Sequence, residues 1–117
     1  MKFANLFPNE KSPIDASPGE LLITEGKKGD RLFVVLEGEV EIFIGDEVLE
    51  TVEEGGIFGE MSLIDFDPAS ASARAKTDIK LATIDESRFL YLVQQHPTFA
   101  LGVMRVMAMR LRRMNPQ

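Results

Sequence analysis

Short β-prone runs separated by glycines fill the middle of the chain, and this pattern constrains the fold more than any other. The runs cover residues 21–24, 32–36, 40–44 and 48–52, and glycines at 26, 38, 45 and 55 interrupt them. Strands at roughly ten-residue spacing with turn signals between them are typical of antiparallel rolls and barrels. Gly45-Asp46 suits a two-residue hairpin turn, since glycine fits the first central position of a type II′ turn. Two further strands are predicted at 70–75 and 79–84.

Helical spacing replaces this alternation after Asp85. Apolar residues at 89, 90, 92 and 93 predict a helix that ends at His96-Pro97, and a second helix follows over about 98–114. A short helix is also predicted after Phe58-Gly59-Glu60. The expected fold is therefore mainly β with flanking helices: an antiparallel β-roll of jelly-roll type, a short helix inside it and C-terminal helices. We divide the chain into an N-terminal segment (1–17), the roll (18–85) and the C-terminal helices (86–115).

Composition excludes several classes of function. There is no cysteine and one histidine, so neither a thiol nucleophile nor a histidine-rich metal site is expected, and no catalytic motif is present. A net charge of −6 argues against nucleic-acid binding. No signal peptide or membrane-spanning run is visible, so we expect a cytoplasmic protein without a membrane partner. Residues 32–73 contain eleven carboxylates and neither Lys nor Arg.

Three ordered blocks resemble a known family. They are PGELLITEG at 18–26, GDRLFVVLEGEV at 29–40 and FGEMSL at 58–63. Together they are similar to the cyclic-nucleotide-binding domain of catabolite activator proteins and protein kinase A regulatory subunits. The resemblance covers about 18–114, and it implies a β-roll with a phosphate-binding cassette at 58–73. It also implies C-terminal helices that move when cAMP or cGMP binds.

The resemblance implies ligand-binding roles for the cassette residues. Gly59 would place a backbone amide near the cyclic phosphate, together with the amides of Glu60 and Met61 at the helix start. The Glu60 carboxylate would accept a hydrogen bond from the ribose 2′-hydroxyl. Ser70 would contact phosphate or base, and Ala71 beside it belongs to the same set. No cofactor or metal is implied apart from the nucleotide.

Position 69 departs from the family pattern. The family has an arginine there, which pairs with the phosphate, and this chain has Ala69. A charge-assisted contact of this kind is worth about 1.5–3 kcal/mol, so we expect weak binding. Arg74 lies five residues further along and is expected on the opposite strand face, in solvent. Arg110, on the last helix, is the better candidate to compensate.

The last helix also suggests how the protein is organised. It is apolar on more than one side, so a homodimer through Met104, Met107 and Leu111 is expected. No DNA-binding segment follows this helix within the 117 residues, and we expect a stand-alone, non-enzymatic module that signals to a protein partner. Two hypotheses remain: a weak cyclic-nucleotide sensor, or a degenerate member that keeps the fold as an interaction and dimerisation surface.

Overall fold

The computed structural model describes residues 2–114. Two four-stranded antiparallel sheets face each other as a roll, and helices cover one side. The strands are β1 (Ile14–Ala16), β2 (Leu21–Ile23), β3 (Leu32–Glu37), β4 (Val40–Ile44), β5 (Glu47–Val52), β6 (Ile57–Phe58), β7 (Ser72–Ala75) and β8 (Ile79–Ile84). The helices are a 3₁₀ turn (Phe3–Leu6), α1 (Glu60–Asp65), α2 (Glu86–Gln95) and α3 (Pro97–Met114). This architecture confirms the predicted fold class.

Strands from opposite ends of the roll lie side by side in both sheets. The order is β1-β8-β3-β6 in one sheet and β2-β7-β4-β5 in the other. The hairpin of β4 and β5 turns at Gly45-Asp46, where Ile44 pairs with Glu47 and Gly45 has φ +58°. The predicted two-residue turn is therefore present.

Strand β3 is buried on both faces, which explains its uninterrupted apolar sequence. Phe33 and Val35 point into the roll, where the Phe33 ring stacks on Phe58 at 4.9 Å between centroids. Leu32 and Val34 point the other way, into a second core beneath the helices. Adjacent side chains of a strand alternate between faces, so a strand between two cores needs apolar residues at every position. The helices are thereby fixed directly onto the roll.

The N-terminal 3₁₀ turn and the two C-terminal helices, α2 and α3, cover this second core. Asp85 caps α2 by accepting a hydrogen bond from the backbone N–H of Arg88 at 2.9 Å. Phe99 of α3 is fully buried and meets the edge of Phe3, which the 3₁₀ turn brings in at a centroid distance of 5.9 Å. Within residues 2–114, no helix is both long and apolar enough to cross a membrane.

Two strands were absent from the sequence prediction, and one prediction was too long. Strand β1 pairs Ile14 with Leu81, so the roll begins before the expected boundary at 18, and β6 consists of only two residues. Three-residue and two-residue strands carry too little alternation to stand out. Strand β7 begins at Ser72, two residues later than expected. The predicted limit at residue 115 lies outside the described residues.

Candidate functional site

A glycine turn presents the cassette, which is the segment 58–73. Gly59 has φ +82° and precedes α1. A methyl group at Gly59 would lie 3.1 Å from Cδ1 of Ile23 and 3.2 Å from the carbonyl oxygen of Arg31. Both the left-handed backbone and the close packing therefore require glycine. Glu60, the first residue of α1, follows this turn, and its side chain is buried.

Glu60 is a buried carboxylate that is only half satisfied. Its residue exposure is 3%, and its Oε1 atom accepts a hydrogen bond from Nη1 of Arg110 at 2.7 Å. The other oxygen, Oε2, is buried and has no hydrogen-bond partner among residues 2–114. A buried carboxylate oxygen without a donor is costly, and such a group calls for an explanation. The site therefore holds a carboxylate oxygen that is closed to solvent and lacks a donor among the described residues.

Arg110 is held at this site by three groups on separate elements. Besides Glu60, its guanidinium donates to Glu50 through Nε at 3.0 Å and Nη2 at 3.1 Å. Nη2 also donates to the carbonyl oxygen of Ile57 at 2.6 Å. Burial lowers the pKa of Arg110, but hydrogen bonds and charge from Glu50 and Glu60 outweigh it and raise that pKa above its ordinary value. The guanidinium thus ties α3 to β5, β6 and α1.

The structure brings Arg110 to the cassette but pairs it with carboxylates. Sequence reasoning placed Arg110 near the ligand and missed Glu50, whose position on the alternating face of β5 suggested a solvated acid. The only sequence signal for Glu50 was the acid-rich run without local bases. A compensating role of Arg110 toward a phosphate stays a prediction.

Three of the remaining predicted positions, 69, 70 and 71, lie near the C-terminal end of the cassette, and Met61 lies on α1. Ser70 is exposed, and Ala69 and Ala71 are partly buried. Met61 is 40% exposed on α1. Both backbone hydrogen bonds of Ala69 go to a distant loop: its N–H donates to the carbonyl of Lys27 at 2.9 Å, and its carbonyl accepts from Gly26 at 2.8 Å. The sequence did not indicate that this loop, at Gly26 and Lys27, contacts position 69.

Comparison with known proteins identifies the fold family. A family model described as the cyclic nucleotide-binding domain matches residues 13–96. The chain belongs to this family.

Solved structures support the same assignment. The cyclic nucleotide-binding domain described here is similar to the catabolite activator protein of Thermus thermophilus, with 30% identity and a TM-score of 0.78; the match covers 86% of this chain and 50% of that one. It is similar to a cyclic nucleotide-binding domain from Methylobacillus flagellatus, with 29% identity, a TM-score of 0.74 and coverage of 86% and 61%. It also matches the EAL enzyme Bd1971 in its cGMP-bound form, with 34% identity, a TM-score of 0.68 and coverage of 87% and 28%. The chain thus spans half the length of the Thermus protein.

Arg74 of this cyclic nucleotide-binding domain does not belong to the cassette. Its guanidinium lies 4.1 Å from the ring centroid of Phe43, and its Nε is 3.1 Å from Oε1 of Glu41. We expected Arg74 in solvent, on the strand face opposite position 69. Ala69 lies before β7, which begins at Ser72, and Arg74 is paired with Glu41 rather than free. Three acids of the base-free run, Glu41, Glu50 and Glu60, thus receive arginines from elsewhere in the chain.

Proposed function

We propose that this domain binds a cyclic purine nucleotide, cAMP or cGMP, at the cassette and relays the event through α3 to a protein partner. The observation that carries the proposal is Oε2 of Glu60, a buried acceptor without a donor among the described residues. A ribose 2′-hydroxyl supplies such a donor. The family match and the cAMP-bound and cGMP-bound forms of the similar enzyme Bd1971 support the ligand class.

The path from ligand to partner runs through Arg110. A ligand hydroxyl on Glu60 meets the same carboxylate that anchors α3, because Nη1 of Arg110 already occupies Oε1. A hydroxyl donating to Oε2 shares the negative charge on which the Arg110 bond depends. Nucleotide binding is thereby linked to the position of α3, which carries an exposed apolar surface. The module is regulatory and non-enzymatic in this proposal, and it acts in the cytoplasm.

Weak binding is part of the proposal. With alanine at position 69, the charge-assisted contact to the phosphate is absent. A contact of this kind is worth about 1.5–3 kcal/mol, which corresponds to roughly one to two decades in affinity. The turn amides of Gly59 and Met61, with the Ser70 hydroxyl, then contribute the remaining polar contacts to the phosphate.

Calorimetric titration with cAMP and with cGMP tests this function. We expect saturable heat for at least one nucleotide, and we expect Glu60→Gln to weaken that binding by about tenfold, because a charged acceptor is lost. Glu47→Gln is the matched control, since Glu47 is exposed at the far end of β5. No heat from either nucleotide at millimolar concentration would refute the proposal, provided that circular dichroism shows a folded protein.

A degenerate module that no longer binds nucleotide is the second candidate. Ala69 favours it, as does the Arg110 guanidinium, which already donates to one of the two carboxylate oxygens of Glu60. Ala69→Arg discriminates between the two functions. If the rest of the cassette can bind nucleotide, this substitution increases the affinity for cAMP or cGMP. If the pocket has been lost, the variant shows no binding.

A further inference from the structure

The position that lacks the family's arginine is hydrogen-bonded to a lysine-bearing turn. The backbone N–H of Ala69 donates to the Lys27 carbonyl at 2.9 Å, and the Ala69 carbonyl accepts from Gly26 at 2.8 Å. The N–H of Lys27 closes the turn on the carbonyl of Thr24 at 3.1 Å, and Gly26 has φ +84°. A positive φ at this place in a turn is what glycine permits. The turn therefore holds Lys27 directly against Ala69.

Contacts on either side fix the same loop to the cassette. The N–H of Glu25 donates to Oγ of Ser72 at 2.9 Å, before the lysines. After them, a methyl group at Gly29 would lie 3.3 Å from Cβ of Ser62, a buried residue of α1. Lys27 and Lys28 thus lie between two points where the loop touches the cassette.

These two lysines are available cations. Both are exposed, and neither forms an ion pair with any residue between 2 and 114. Arg31 of the same loop differs, because its Nε lies 3.0 Å from Oδ1 of Asp30. The loop therefore places two unpaired positive charges next to the cassette, a segment that itself contains neither Lys nor Arg.

We propose that Lys27 and Lys28 supply the cation that Ala69 removed, binding the phosphate of the nucleotide from the neighbouring loop. This inference rests on the proposed nucleotide binding and names the residues that make it possible. A lysine ammonium is a compact charge on a flexible four-carbon stem, so it can bind a phosphate without the fixed two-bond geometry of arginine. In this proposal the positive charge that binds the phosphate comes from the neighbouring loop rather than from position 69 of the cassette.

The test compares two double variants of equal charge by calorimetry with cAMP and cGMP. Lys27→Ala/Lys28→Ala should bind roughly ten- to a hundredfold more weakly than the unaltered protein and show a smaller loss of affinity with added NaCl. Lys11→Ala/Lys76→Ala removes the same charge at two other exposed lysines that form no ion pair with residues 2–114, and it should bind as the unaltered protein does. Adding Ala69→Arg should restore affinity in the Lys27/Lys28 double variant and gain less in the unaltered protein.

The outcomes separate this inference from the function beneath it. If the unaltered protein binds nucleotide and both double variants bind equally well, the lysine role is wrong and the function stands. If the unaltered protein does not bind but Ala69→Arg does, the lysines supply no cation and the inference is overturned. If neither protein binds, the proposed function fails and the lysine role falls with it.

Discussion

Glu50, Glu60 and Arg110 come from three elements and meet in one hydrogen-bonded group. Arg110 and Glu50 are sixty positions apart in the sequence, and their side chains are each 19% exposed. Paired charges with little solvent access interact more strongly than surface pairs, but removing one partner leaves the other unsatisfied. The group therefore fixes α3 at the cassette as long as all three members are present.

Substituting Glu50 tests this group at the scale of single residues. We expect Glu50→Ala to lower the free energy of unfolding by about 2 kcal/mol, because two charge-assisted hydrogen bonds of Arg110 are lost. Glu47→Ala, at an exposed position of the same strand, should change it by less than about 0.5 kcal/mol. Urea denaturation measures both, and equal stability of the two variants would contradict the proposed role of Glu50.

Residues next to each other in sequence were predictable, whereas contacts between distant segments were not. The turn glycine and the helix start at Phe58-Gly59-Glu60 could be predicted from the residues alone. The cassette was located by the resemblance of the three ordered blocks at 18–26, 29–40 and 58–63 to a known family. Nothing in the sequence shows that Glu50 pairs with Arg110, since strand alternation places Glu50 among solvated acids. The pairing of Lys27 with Ala69 likewise depends on how two loops of the roll cross.

At the scale of elements, the 3₁₀ turn Phe3–Leu6 is a structural part of the helical layer. Phe3 is 2% exposed and packs on Phe99, and its N–H donates to the carbonyl of Gly55 at 2.8 Å. Just after the turn, Phe7 lies 4.8 Å from the Arg88 guanidinium, measured to the ring centroid. The segment therefore links α2 and α3 to the turn between β5 and β6.

A matched pair of phenylalanine substitutions tests this element. Phe3→Ala should cost about 3 kcal/mol of stability, because it leaves a cavity in the second core. Phe66→Ala removes the same side chain at a position that is 52% exposed and should cost under about 0.5 kcal/mol. Thermal unfolding gives the comparison. If Phe3→Ala lowers the stability as little as Phe66→Ala does, the 3₁₀ turn contributes little to the core.

At the scale of the whole molecule, α3 exposes an apolar seam that a second copy can cover. The exposed residues Leu101, Met104, Ala108 and Leu111 follow intervals of three and four, the spacing of a coiled-coil seam. Met107, which we expected in this seam, is half-buried and packs against the core beneath the helices instead. Met104 and Leu111 are exposed in this seam and Met107 only partly so, and the dimer through these three residues stays a prediction.

Charge introduced into the seam tests the proposed dimer. Light scattering should give twice the chain mass for the unaltered protein and the monomer mass for Met104→Glu/Leu111→Glu, since buried unpaired carboxylates oppose association. Gln94→Glu, on the exposed part of α2, is the control and should leave the mass unchanged. A monomer mass for the unaltered protein would exclude this interface.

The arrangement of strands also determines when the molecule can fold. Strand β1 pairs with β8 and β2 with β7, so residue 14 must find residue 81 and residue 21 must find residue 74 before either sheet is complete. Closing such long loops costs entropy before the contacts stabilise the chain, and folds dominated by distant pairings form in milliseconds to seconds rather than microseconds. During synthesis, β1 and β2 must wait for the second half of the chain, with their edges unpaired until β7 and β8 have emerged.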